Sequence, residues 1–249
     1  MAASTCVRAS RPPHASVVWA IMVDSNLSST ASNGGCVVIP QYSLGERVAD
    51  GTLHVIGVGA SLAALAALLV IGIQTTDTSL MVLGLAIYGV ALVATFGFSA
   101  GYHLAVRPKV KEVLRRLDHA AIFLMIAATY TPFVLFKMNN AWGLGLLAVV
   151  WTMAAMGIAL KLFAPRYLDG LSTALYLVQG WAVLAAWAPL QSALPASVLT
   201  LLMVGGVLYT VGVVFHLWSR LPYQNAIWHG FVLSAASCHY AAVIGVAAV

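Results

Sequence analysis

Ser99-Ala-Gly-Tyr-His103, Asp118-His119 and Trp228-His229 set a hydroxyl, a carboxylate and several imidazoles at the ends of strongly apolar segments. Unpaired groups of this kind are costly in low-dielectric surroundings. They persist there by pairing with one another, binding a cation or lining a wet cavity. Ser99 and His103 are four residues apart and so share one helix face, about a turn apart. Imidazole with carboxylate is a zinc-type donor set, and a catalytic zinc uses three protein ligands, an open position for water and a neighbouring carboxylate to take its proton. The constellation therefore offers His103, Asp118 and His229 as candidates for such a site, and Ser99 to orient a ligand or an oxyanion. A plainer reading stands beside it, in which Asp118 caps a helix and anchors the interface with Arg115 or Arg116.

The elements that position these groups are membrane helices. The 249 residues are 61% hydrophobic and 8% charged, far from the roughly 25% charged residues of soluble domains. From residue 52 onward, apolar stretches of about twenty residues alternate with polar, proline-bearing or glycine-bearing breaks, each stretch long enough to cross a hydrocarbon core of about 30 Å. The pattern predicts an all-α bundle of seven transmembrane helices at 52–73, 79–104, 118–136, 142–163, 170–188, 197–218 and 225–247, with one long break at 105–117. That break carries Arg107, Lys109, Lys111, Arg115 and Arg116; Arg166 and Arg220 fall on the same side, whereas Lys137 stands nearly alone on the other. The positive-inside rule then places the N-terminus in the cytoplasm and the C-terminus outside, with the polar clusters near the cytoplasmic face. Because the net charge of +5 is concentrated beside membrane segments, it favours headgroup contact over nucleic acid binding.

Residues 1–41, rich in Ser, Ala and Asn, read as a disordered extension of a membrane domain at 42–249. The apolar run at 16–23 is at the short limit of a signal segment and lacks a clear cleavage site, so a secretory signal is not expected. Cys6, Cys36 and Cys238 have neither CxxC nor zinc-finger spacing. Gly57, Gly59, Gly84, Gly89, Gly205, Gly206 and Gly212 are expected to permit close helix packing, since no phosphate-binding glycine pattern is present. His119 points about 100° away from Asp118 on an ideal helix and is expected to make an interhelical hydrogen bond. His54 and His239 are expected to be satisfied polar contacts, and His216 to be interfacial.

Tyr42-Ser-Leu-Gly-Glu-Arg-Val-Ala-Asp-Gly-Thr-Leu-His54, Ser99-x-x-x-His103, Leu117-Asp-His-Ala-Ala-Ile122, Ala128-Thr-Tyr-Thr-Pro-Phe133, Gly205-Gly-Val-Leu-Tyr209 and Ala226-Ile-Trp-His229 through His239 resemble the hemolysin III proteins, which are grouped with the progestin and adipoQ receptors. The resemblance implies seven helices with the N-terminus inside and a zinc ion near the cytoplasmic side. It implies that the ion is held by the histidine of Ser-x-x-x-His and by both histidines of a His-x-x-x-His motif on the last helix, with the third-helix aspartate holding the water. His103, Asp118 and His229 fill three of these places. Asn225 stands at the fourth, and a carboxamide is a weaker zinc ligand than imidazole. Three accounts follow: Asn225 ligates through its oxygen or a water; another histidine moves in, His216 being nearest in sequence; or the metal has been lost and a polar network remains.

The resemblance implies a zinc-dependent hydrolase of lipid amides or esters in a bacterial plasma membrane, with membrane lipids as partners. A non-enzymatic membrane-homeostasis or receptor-like protein is the second expectation, and a pore-forming hemolysin the third.

Overall fold

The computed structural model describes residues 6–8, 36–38, 43–75, 78–163, 169–218 and 220–247. The chain divides into two compact units, 1–47 and 48–249. Within the expected N-terminal extension, strands β1 (Cys6–Arg8) and β2 (Cys36–Val38) pair antiparallel, with Cys6 opposite Val38 and Arg8 opposite Cys36. The apolar run at 16–23 and the disorder expected for the rest of 1–41 lie outside the described residues.

Among the described residues, seven helices are long and apolar enough to cross a membrane. They are α1 (Leu44–Thr75), α2 (Ser79–Leu104), α3 (Pro108–Lys137), α4 (Ala141–Phe163), a broken fifth span, α7 (Ala196–Leu217) and α8 (Gln224–Ala247). Two starts differ from the expected ones. Helix α1 begins eight residues before 52, where a reciprocal capping box forms: Ser43 N–H donates to Glu46 Oε2 (2.7 Å) and Glu46 N–H to Ser43 Oγ (3.2 Å). This satisfies two of the free amides at the helix start. Helix α3 begins at Pro108, which suits the first helical position because its missing N–H would be unpaired there anyway. The expected long break therefore shrinks to residues 105–107. Its charges from Lys109 onward sit on helix, with Glu112 paired to Arg115 (3.2 Å) and Arg116 (3.1 Å), and Arg116 Nη1 donates to Leu162 O at 2.6 Å. Asp118 thus lies ten residues inside α3 and does not cap it.

Helix α3 is the most enclosed span and packs against α2, α4 and α8. The fifth span, expected to be one helix, consists of α5 (Asp169–Trp181), a 3-10 turn (Ala182–Ala186) and α6 (Trp187–Ala193). A break at membrane depth persists only where its backbone groups find partners. Tyr130 of α3 supplies them: its hydroxyl donates toward Gly180 O (2.8 Å) and Gln179 O (3.0 Å) and accepts from Val183 N (2.9 Å). The carboxamide of Gln179, fully buried, donates to Phe123 O and Val150 O, both at 3.2 Å, and so ties α3, α4 and α5 together. Tyr130→Phe is expected to cost about 1–3 kcal/mol by leaving these groups unsatisfied, read as a lower melting temperature in detergent.

The glycine expectation divides. A Cβ at Gly57, Gly84, Gly89, Gly205 or Gly212 would fall within 3.0 Å of a neighbouring side chain, whereas Gly206 has only ordinary contacts and Gly59 has nothing within 4 Å.

Candidate metal centre

The α1 start at Leu44 puts Asp50 and His54 inside the first span, one turn apart on one face. Ser99 and His103 occupy the last two turns of α2, and His229 the second turn of α8. Short connections alternate the spans through the bundle, so the start of α1, the end of α2 and the start of α8 meet at the end that carries Arg107, Lys109, Lys111, Arg115 and Arg116.

Asp50 is the hub. Its Oδ1 lies 2.6 Å from His229 Nδ1, and its Oδ2 lies 3.1 Å from His103 Nδ1 and 3.5 Å from His54 Nε2. The three rings stand 4.4–4.8 Å apart, centroid to centroid. Ser99 Oγ lies 3.5 Å from His229 Nε2. His54 is 2% exposed, and its Nε2 is buried without a hydrogen bond.

One donor atom from each of Asp50, His54, His103 and His229 lies within 4.8 Å of the others. Bonds of about 2.0–2.1 Å in a tetrahedral zinc site put donors about 3.3 Å apart, so the four groups, with donors up to 4.8 Å apart, would close in on a bound ion. A buried nitrogen that makes no hydrogen bond adds a second sign, because such groups are ordinarily satisfied. The residues fit a divalent cation of the zinc type.

Sequence reasoning identified His103 and His229, and the structure brings them together. It assigned nothing to Asp50 and read His54 as a satisfied contact; His54 belongs to the convergent group and makes no hydrogen bond. Their available signal was Asp50-x-x-x-His54 behind the Ser43-x-x-Glu46 capping pattern. Asp118 stands outside the convergent four, half-buried on α3, within electrostatic reach of His119 and His216. Asn225 is half-buried one turn before His229 on α8.

The remaining histidines have separate roles. The His119 ring bonds within its own helix, Nδ1 to Arg115 O at 2.6 Å, instead of across helices; the link to α5 runs through its carbonyl, which accepts from Tyr176 Oη at 3.0 Å. His239 Nε2 lies 3.2 Å from Leu202 O across the α7–α8 contact, as a satisfied polar group. His216 is exposed at the end of α7 and packs on Trp228, with centroids 5.0 Å apart.

Fold and site together define a helical membrane protein with seven candidate spans and a buried histidine–aspartate cluster that can hold a metal. The Haemolysin-III related family model matches residues 43–240, and the chain belongs to that family. It is 39% identical over 199 residues to Hemolysin-3 of Bacillus cereus, covering 80% of this chain and 90% of that protein. It is 35% identical over 203 residues to the Hemolysin-3 homolog of Bacillus subtilis (strain 168), covering 82% and 95%. The human Monocyte to macrophage differentiation factor is 32% identical over 169 residues, covering 63% of this chain and 67% of that protein.

Proposed function

We propose that this protein is an integral membrane hydrolase that uses zinc at the histidine–aspartate cluster to cleave a lipid amide or ester near the cytoplasmic face of a bacterial plasma membrane. The observation that carries the reading is the convergence of three imidazoles and a carboxylate, from three separate helices, at one end of an apolar bundle. When bound there, zinc supplies Lewis-acid polarisation of a carbonyl and makes water a better nucleophile.

The protein's own groups divide the remaining work. His103 and His229 hold the cation, and Ser99, beside His229 Nε2, fixes the orientation of that ring. Asp118, the carboxylate at this end that does not touch the three imidazoles, takes the proton from water. The basic residues at the start of α3 keep this end in the cytoplasm.

The test is zinc content and fatty-acid release by detergent-purified protein, with amide-linked and ester-linked lipids as substrates. Asp118→Ala is expected to keep its zinc and lose turnover by 100-fold or more, about the upper range of a general base. Bound zinc with no release from either lipid class sinks the hydrolase.

A non-enzymatic membrane-homeostasis role is the second reading. What favours it is that Asp50 already pairs with His103 and His229 inside the protein, as a purely scaffolding network would. It expects Asp118→Ala to restore normal membrane fluidity to a deletion strain, an outcome the hydrolase reading excludes.

A further inference from the structure

We propose that α1 supplies half of the metal site: Asp50 and His54 ligate the cation together with His103 and His229, and residue 225 is not a ligand in this chain. The inference rests on the metal reading above and assigns its ligands.

Three observations carry it. The first is distance. Oxygens of the one carboxylate lie 2.6, 3.1 and 3.5 Å from three imidazole nitrogens on three different side chains. One donor atom from each of the four groups lies within 4.8 Å of the others, so a cation among them would draw all four into one shell. A carboxylate that merely orients a ligand histidine commonly serves one ring from outside; this one faces three.

The second is the state of His54. Its Nε2 is buried, faces Asp50 Oδ2 at 3.5 Å and has no hydrogen bond. A buried imidazole nitrogen without a hydrogen bond is destabilising, and a cation between it and the carboxylate would remove that cost. The third is charge. Asp50 brings an anion to the end of an apolar bundle, and a divalent cation ligated by one carboxylate and three neutral imidazoles compensates it locally.

Donor chemistry points the same way. Imidazole and carboxylate are good ligands for zinc and comparable divalent ions, whereas the Asn225 carboxamide is a neutral and weak one. With Asp50 and His54 in place, the set is complete without it. A carboxylate in the fourth position still leaves zinc able to expand to five-coordinate and admit water, so the assignment is compatible with hydrolysis and does not depend on it.

The experiment measures zinc affinity of the full chain in detergent, by competition against a chromophoric chelator, and zinc per protein by elemental analysis. Asn225→Ala is expected to bind zinc as the unaltered protein does. Asp50→Asn and His54→Ala are each expected to lose more than about 100-fold in affinity, beyond the roughly 10–100-fold that removal of an outer partner costs. Zinc should raise the melting temperature of the unaltered protein and of Asn225→Ala, and leave Asp50→Asn unmoved.

A loss of only 10–100-fold in Asp50→Asn would make Asp50 an outer partner and overturn its assignment as ligand. Full affinity in His54→Ala, or loss of zinc in Asn225→Ala, would overturn the α1 site while leaving a metal site in being. No zinc in the unaltered protein would overturn this inference and the zinc hydrolase together. Should Asp50→Asn or His54→Ala fail to fold, Asp50→Glu and His54→Gln are read in the same way, since each keeps a polar side chain on α1 while moving or weakening the donor atom.

Discussion

His229→Ala is expected to melt well below the unaltered protein even after both have been stripped of metal. The imidazole makes the shortest contact to Asp50, 2.6 Å, and packs against the rings of His54 and His103 at 4.4 and 4.6 Å. Its removal takes the shortest of three imidazole contacts from a carboxylate that has water on little of its surface. Losing a hydrogen bond to a charged group costs about 1.5–3 kcal/mol, and at about 2–4 °C per kcal/mol for a chain of this size the melting temperature should fall by about 3–12 °C. The double variant Asp50→Asn/His229→Ala should lie closer to the unaltered protein than the sum of the singles, because the group left stranded by the second change is neutral. Simple addition of the two effects, or an unmoved melting temperature in His229→Ala, would mean that the cluster does not hold α1, α2 and α8 together.

The number of spans was legible in the sequence because a stretch of twenty apolar residues has few alternatives once it is long enough to bridge hydrocarbon. What hydropathy obscured were the helix starts, since a helix that leaves the membrane continues as an ordinary amphipathic or charged helix for several turns. At α3, the ladder Glu112–Arg115–Arg116 reads as a polar break by composition, although those residues pair with each other along helical turns. At α1, the same effect hid Asp50: with the span begun at 52, its carboxylate fell just before the helix and not one turn below His54. The capping pattern at Ser43 and Glu46 was the local signal that shifts the start.

His103 and His229 were legible because each interrupts an apolar run, and an interruption of that kind requires a reason. Which faces meet across a bundle is a different matter, set by helix rotation and by where side chains allow close approach, as at Gly57 against Phe96 and Gly89 against Leu65. Sequence spacing fixes the relation of residues within a helix and leaves the relation between helices open. That is why Asp118, at the right end and of the right chemistry, stands outside the convergent donors while Asp50 occupies their centre. The break in the fifth span was hidden for a similar reason, since its partner groups come from Tyr130, about fifty residues earlier in the chain.

Gly143→Ala and Gly145→Ala, two residues apart on α4, are expected to shift stability in opposite directions. A Cβ at Gly143 would lie 2.0 Å from Met138 O and 2.8 Å from Met138 Cβ. Met138 cannot yield cheaply: it is 2% exposed, its N–H closes α3 by donating to Val134 O at 3.0 Å, and its carbonyl accepts from Asn140 N at 2.7 Å. Gly143 N–H in turn donates to Asn140 Oδ1 at 3.0 Å, which caps the start of α4. The added methyl therefore presses on backbone at the one place where α3 hands over to α4, and the strain should cost at least the about 1–3 kcal/mol of an overpacked core. At Gly145 nothing lies within 4 Å of the added carbon, so the helix gains the alanine preference of about 0.8–1.0 kcal/mol with no clash. Melting temperatures of the two variants in one detergent, read side by side, should straddle that of the unaltered protein. If Gly143→Ala melts as high as Gly145→Ala, the tight turn between α3 and α4 is looser than its hydrogen bonds require.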